Sequence, residues 1–409
     1  MTVTIPYRQT PLAASLFLLL LFIAVFLPTG SIFGLNIKVL VFLFFVVAFA
    51  FHLAHSPVRL THTEVIGLGL FCASLCLWAL VAIINAQVDT SQMLLQFKDL
   101  VSTVVIAWAC VFLVRRRTLR PERIVAAIVY GLGALSLMKL TIIVATFIYH
   151  LNPIESLESV FGEGALVSGD ISFGLTRLQF SSDITGCFAL FAILCPTVSG
   201  LHLRRILRVV LLVLLLISGL LAYSRYIWLL EGIAFIAAMS IERKFKLLAA
   251  VVLAILLLIP ASYEALQVFV GDRFSSDETT DSDLARVQQS QALLSDIQAR
   301  PFFGKGLGTH ATAVIRSEQN RYSYELQWMS LFMQFGALGM AGIILLVGNS
   351  ARDLIASRHR GRSWMALLFV LWLLSGWTNP YLTSSFAGAT FGMFMAMFYR
   401  MRKVVPSNA

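Results

Sequence analysis

LVSTVVIAWACVFLVRRRTLRPER, residues 100–123, decides how this chain is read. Residues 100–114 carry no charge. Arg115, Arg116, Arg117, Arg120 and Arg123 then follow in quick succession, and an uncharged run resumes from Ile124 to Met138. A bilayer core of roughly 30 Å needs about 20 apolar residues per helix. The stretch therefore reads as the end of one membrane span, a basic turn and the start of the next. The rest of the chain repeats this pattern. Of 409 residues, 58% are hydrophobic and 13% charged, against about 25% charged in a soluble domain. Such a composition excludes an intrinsically disordered chain and a disulfide-stapled secreted fold.

Windows of this kind give about twelve spans: 11–29, 33–54, 63–87, 93–114, 122–150, 181–199, 205–222, 226–241, 245–263, 323–348, 363–379 and 382–400. The fold class is an all-α polytopic membrane protein. The segment Pro11–Pro28 lacks a small-x-small cleavage site, so it reads as a retained first helix. With the N-terminus inside and the spans alternating, the inside segments hold Arg8, Arg59, the 115–123 cluster, Arg204, Arg205 and Arg208. They also hold Arg243, Lys244 and Lys246, then Arg352, Arg358, Arg360 and Arg362, and finally Arg400, Arg402 and Lys403. Lys and Arg gather on the cytoplasmic side, so N-in, C-in is the expected orientation. The formal net charge of +10 then reports topology and implies no nucleic-acid partner. The five cysteines lie in apolar stretches without zinc-type spacing and read as small buried residues.

Two outside segments are long. One runs from about 151 to 180. The other, 264–322, is polar and mixed in charge, with apolar residues at helical spacing over Asp283–Ala299 (Leu284, Val287, Leu293, Leu294, Ile297). It then breaks at Pro301 and at Gly304, Gly306 and Gly308. The chain accordingly divides into residues 1–180, the first five spans with their outer loop, and residues 181–409, a catalytic region that contains the large loop. A long structured loop in a compact protein usually carries function.

Arginines on the wrong side of the positive-inside pattern are the informative charges: Arg177, Arg225, Arg286, and Arg316 or Arg321. A guanidinium fork suits a phosphate, and several converging forks suit a diphosphate leaving group. Any one of them alone also fits a solvated residue that snorkels to the headgroups. Arg225 sits in the very tight turn Ala222-Tyr223-Ser224-Arg225-Tyr226 between two apolar helices. Glu325, in Tyr324-Glu325-Leu326-Gln327-Trp328, opens a span at the outer boundary, where a carboxylate can act as general base or simply favour a helix N-terminus. Lys98 and Asp99 can neutralise each other. Lys139, deep in the fifth span, needs a partner such as Glu231 or a cavity. His310 follows the glycine turn, and Lys305 lies within it. Asp281-Ser282-Asp283 has the Asp-x-Asp form of metal-binding sugar transferases, a tripeptide common by chance.

From about Arg177 onward the chain resembles the O-antigen ligase and polymerase superfamily, polytopic membrane glycosyltransferases of GT-C-like fold. The resemblance rests on Ser224-Arg225 before Trp228, on Arg286 followed by Pro301-Phe302-Phe303-Gly304-Lys305-Gly306-Leu307-Gly308, and on Gly336-Ala337-Leu338-Gly339. It implies inverting transfer without metal or cofactor on the periplasmic face of a bacterial inner membrane. The donor is an undecaprenyl-diphosphate-linked glycan, the acceptor a second glycan, and a chain-length regulator is a further partner. Arg225, Arg286 and Glu325 are the implied catalytic residues; Arg177, Tyr324, His310, Lys305 and Arg321 line the substrate. The ligase pattern places a His eleven residues before the first glycine of Gly-x-x-Gly, where this chain has Glu325 followed by Leu326. That departure favours a polymerase of O-antigen, capsule or exopolysaccharide over a ligase acting on lipid A-core. A lipid-linked glycan transporter is the rival from another class.

Overall fold

The structure, a computed structural model, describes residues 12–28, 31–32, 34–55, 60–85, 89–149, 153–161, 170–171, 175–251, 253 and 277–403. Helices dominate. They are α1 (Leu12–Phe26), α2 (Ile37–His55), α3 (His62–Ile84), α4 (Thr90–Arg115), α5 (Pro121–Tyr149) and α6 (Pro153–Phe161). After these come α7 (Asp183–Leu194), α8 (Pro196–Ser199), α9 (Arg205–Leu221), α10 (Arg225–Ile241), α11 (Asp277–Ala299) and α12 (Gln327–Ser350). The chain closes with α13 (Arg352–Ile355), α14 (Arg362–Leu374) and α15 (Ser385–Lys403). Two short antiparallel ribbons complete the described residues, Ser31–Ile32 with Leu35–Asn36 and Asp170–Ile171 with Leu175–Thr176.

Five described helices are long and apolar enough to cross a membrane: α2, α3, α4, α5 and α12 with its extension to Ile355. The helices at several other expected spans, α1, α7 and α14 among them, are shorter. The span expected at 181–199 breaks at Pro196, which starts α8 after α7 ends at Leu194. Proline lacks the N–H that would continue the ladder. Helix α11 runs where a loop helix is expected, but its apolar residues divide. Leu293 is fully buried, whereas Leu284, Val287 and Leu294 are exposed. Arg8, Arg59 and most of the ninth expected span lie outside the described residues, as do the side chains of Asp281 and Asp283.

One large core joins α1, α2, α4, α5, α7, α9, α10, α14 and α15. The basic segments collect at one end of it. There Arg115 and Arg402 share Asp353 (3.0 and 2.6 Å), Glu242 accepts from Thr197, and the Arg400 guanidinium packs against Gly200. The opposite end carries the turn before α10, the large loop and the segment before α15.

Candidate functional site

Three buried glutamines stitch the large loop to the helix ends. On α4, Gln92 accepts from the Arg321 amide and donates to the Gln319 carbonyl, while Gln96 accepts from the Gly308 amide. Gln96 also donates to Gln334 of α12 (2.5 Å), and Gln334 donates to the Thr309 and Tyr322 carbonyls. Two small apolar clusters lie beneath. One gathers Leu293, Ala311, Tyr324 and Met333; the other seats Leu307 on Trp78, Leu331 and Phe335. The glycines of the turn are explained by this close approach. Gly306 has φ +106, and a Cβ there would lie 2.3 Å from the Ala82 amide nitrogen. Gly336 breaks α12 with φ 61, which lets Ala337 and Leu338 donate to the Pro301 and Phe302 carbonyls.

Glu325 lies two residues before α12, against α11. Its Oε2 accepts from Arg286 Nε at 2.7 Å and its Oε1 from Arg316 at 3.2 Å. The Glu325 amide donates to Gln289. Two guanidinium groups thus share one carboxylate in this half-buried cluster. Of the two arginines expected near the end of the loop, the structure joins Arg316 to this cluster. Arg321 instead pairs with its neighbour Glu318 at 2.6 Å on the exposed side.

Arg177 fastens the turn that leads into Arg225, at a second place. Arg177 Nε donates to the Ala222 carbonyl (3.2 Å), and the Leu178 amide donates to Leu221. The turn passes through Tyr223 at φ 47, an uncommon conformation for a bulky residue, and Arg225 opens α10. A helix N-terminus carries partial positive charge, so a cation there builds an anion-attracting end. The Trp228 indole donates to Gly219 and the Tyr226 hydroxyl to Leu371, which fixes the turn.

A polar chain links the two arginine groups. Arg177 donates to Gln179, and Gln179 donates to the Tyr381 hydroxyl at 2.5 Å. Gln327, two residues from Glu325, accepts from the Leu382 amide (2.8 Å) and donates to Thr383 (2.6 Å). The 381–383 segment thus bridges both groups. Sequence reasoning missed Gln179, Gln327 and Tyr381; their signal is polarity next to apolar spans.

The remaining candidates hold the loop together. Tyr324 is fully buried, and its hydroxyl accepts from Ala311 and donates to Val314; burial pushes it up to about 12. Lys305 Nζ donates to Asp296, the His310 carbonyl and Thr312. His310 is half-buried, and burial together with Lys305 and Arg321 lowers its pKa. Asp99 contacts Lys98 at 3.8 Å but takes its short bond, 2.6 Å, from Tyr322. Lys139 is buried against Asp183 at 2.6 Å, so its close partner is Asp183 and not Glu231. Asp183 also accepts from the Phe180 amide at 2.8 Å, which anchors the segment that carries Arg177 and Gln179. An acidic residue inside an apolar span was the signal for that partner.

These features define a helical membrane protein with an arginine-rich polar site under a docked loop at one end. Residues 210–344 match the O-antigen ligase family model, which supports the O-antigen ligase and polymerase superfamily indicated by the chain's own residues. The matched stretch contains Arg225, Arg286, Arg316 and Glu325. No curated protein matches the chain.

Proposed function

We propose that the protein polymerises polyprenyl-diphosphate-linked oligosaccharide repeat units on the periplasmic face of a bacterial inner membrane. The observation that carries this reading is Glu325 held between Arg286 and Arg316. A hydroxyl of the acceptor glycan attacks the anomeric carbon of the donor, and the carbon–oxygen bond to the diphosphate breaks. The hydroxyl proton passes to Glu325, and the electron pair leaves with polyprenyl diphosphate. A single displacement inverts the anomeric centre and needs no metal or nucleotide. Arg286, Arg316 and Arg225 bind the diphosphate and stabilise its charge as it departs, with Arg177 holding the turn that presents Arg225.

The arginines also control the base. Both oxygens of Glu325 are engaged before substrate arrives. An incoming diphosphate competes for the same guanidinium groups, so its binding releases the carboxylate to face the acceptor. Base and leaving-group stabiliser are thereby switched on together.

The ligase reading is supported by the description of the matched family; Glu325 at the position of the ligase histidine favours the polymerase. The test uses purified protein with lipid-linked repeat units, and the product is resolved on a gel. Arg225→Ala, Arg286→Ala and Glu325→Ala each abolish chain growth. Undiminished polymer from all three variants overturns the proposal. Transfer to lipid A-core alone, with no growth on repeat units, decides for a ligase, and the absence of any new glycosidic bond decides for a transporter.

A further inference from the structure

A cavity of about 410 Å³ lies in a slit between α3, α4, α12 and α15. It reaches from Leu382 and Thr383 at the loop end to Glu64, Arg115 and Asp353 at the basic end. Its size falls in the range of small-molecule sites. The shape follows from how α3 is held. At the loop end the Trp78 indole donates to the Phe303 and Phe335 carbonyls, both at 3.0 Å. At the basic end Glu64 pairs with Arg116 at 3.0 Å. Between these fastenings α3 stands off. A Cβ at Gly67 or Gly69 would meet no atom within 4 Å, and Gly67, Leu68 and Phe71 form one wall of the slit.

The two ends of the slit differ in charge. Arg115 and Arg402 converge on the one buried carboxylate of Asp353, and their own side chains are 49% and 54% exposed. A guanidinium has five donors, and Arg115 places one on Asp353. Glu64, Arg115 and Asp353 line the mouth, and Arg402 reaches Asp353 from beside it, so two guanidinium groups share that one carboxylate. An apolar slit that ends at two half-exposed guanidinium groups sharing one carboxylate suits a lipid with an anionic head. Basic pockets between spans on the cytoplasmic side recognise such lipids.

We propose that this slit is a binding site for an anionic glycerophospholipid of the leaflet at the basic end. Its phosphodiester meets Arg115 and Arg402, and one acyl chain lies along α3 past Gly67. The phosphodiester end of the slit lies at the opposite end from the arginine cluster, and the proposal does not depend on the polymerase reading.

Native mass spectrometry of the delipidated full-length protein tests it, with phosphatidylglycerol, phosphatidylcholine or undecaprenyl phosphate added singly. The wild type is expected to retain one phosphatidylglycerol in preference to phosphatidylcholine. Gly67→Trp fills the slit and abolishes retention, and Val104→Trp does the same from the α4 wall should the first variant fail to fold. Arg115→Gln leaves Asp353 paired with Arg402 and lowers the preference about fivefold, the effect of one basic residue near an anionic surface. Equal retention of the two phospholipids by the wild type overturns the proposal, because ordinary annular lipid behaves that way. So does undiminished phosphatidylglycerol retention by both slit-filling variants. Retention of undecaprenyl phosphate alone assigns the slit to the donor's tail and overturns it as well.

Discussion

Lys139–Asp183 and Arg286–Glu325–Arg316 are both ion clusters in a chain poor in charge, and they are built in opposite ways. The first is one cation on one carboxylate at 2.6 Å, with side chains 0% and 2% exposed. The second puts two cations on one carboxylate at 2.7 and 3.2 Å, in a place half open to solvent. A buried, charge-balanced pair has no spare capacity for a ligand, and it costs stability when one member is removed. A partly open cluster in which two guanidinium groups share one carboxylate can exchange that carboxylate for another anion. Charge in this chain therefore divides into a closed pair that fixes position and a more open cluster that, under the proposed function, meets the substrate. Asp183 connects the two roles, because its bond to the Phe180 amide positions the strand of chain that bears Arg177.

The largest effect is expected at Glu325. Glu325→Gln keeps the shape and loses the proton acceptor, so turnover should fall by about 10²–10⁴-fold while thermal stability in detergent changes little. A variant with normal turnover would move the base elsewhere. Next comes Lys139→Met, which leaves Asp183 buried and unpaired and should cost about 3–5 kcal/mol of stability. The double variant Lys139→Met with Asp183→Asn should recover much of that, since Asn still accepts from Phe180. Loss of turnover at full stability in the double variant would make this pair part of the chemistry.

A smaller effect is expected at Tyr324→Phe. It leaves the Ala311 amide without its acceptor and should cost about 1–3 kcal/mol, read as faster proteolysis within residues 301–325. The smallest concerns His310. Its folded pKa lies below the ordinary value near 6.5, so the folded loop binds fewer protons than the unfolded one. The resulting stability is present above the unfolded pKa and is lost as pH falls through the folded one. Hydrogen exchange in the 301–325 loop should rise as pH drops below about 6.5, and His310→Gln should flatten that response. An unchanged profile in the variant would assign the pH dependence to another group.

Much of the helical membrane architecture was legible because apolar runs and basic turns are local signals. The same holds for α11 and for Arg225, Arg286 and Glu325, each a charge standing out against apolar or patterned surroundings. The partners of these residues were not legible. Arg316 and Arg321 are five positions apart in one loop, and nothing local says which of them reaches Glu325. Lys305 and Tyr324 read as substrate contacts from their position in the motif, whereas three-dimensional packing turns both inward to hold the loop. The glutamine ladder was invisible because Gln92, Gln96 and Gln334 are unremarkable letters until the loop lies against them.

The sequence by itself determined that this chain lives in a membrane, that its basic turns share one end, and that the other end holds uncommon arginines under a long loop. Those conclusions follow from transfer free energies that act on each segment alone. Only the tertiary structure decided that Arg286 and Arg316 both grip Glu325, that Lys139 answers Asp183, and that a slit opens beside Gly67. Each of these joins residues far apart in the chain, and such pairings are set by which helix ends meet when the apolar faces pack.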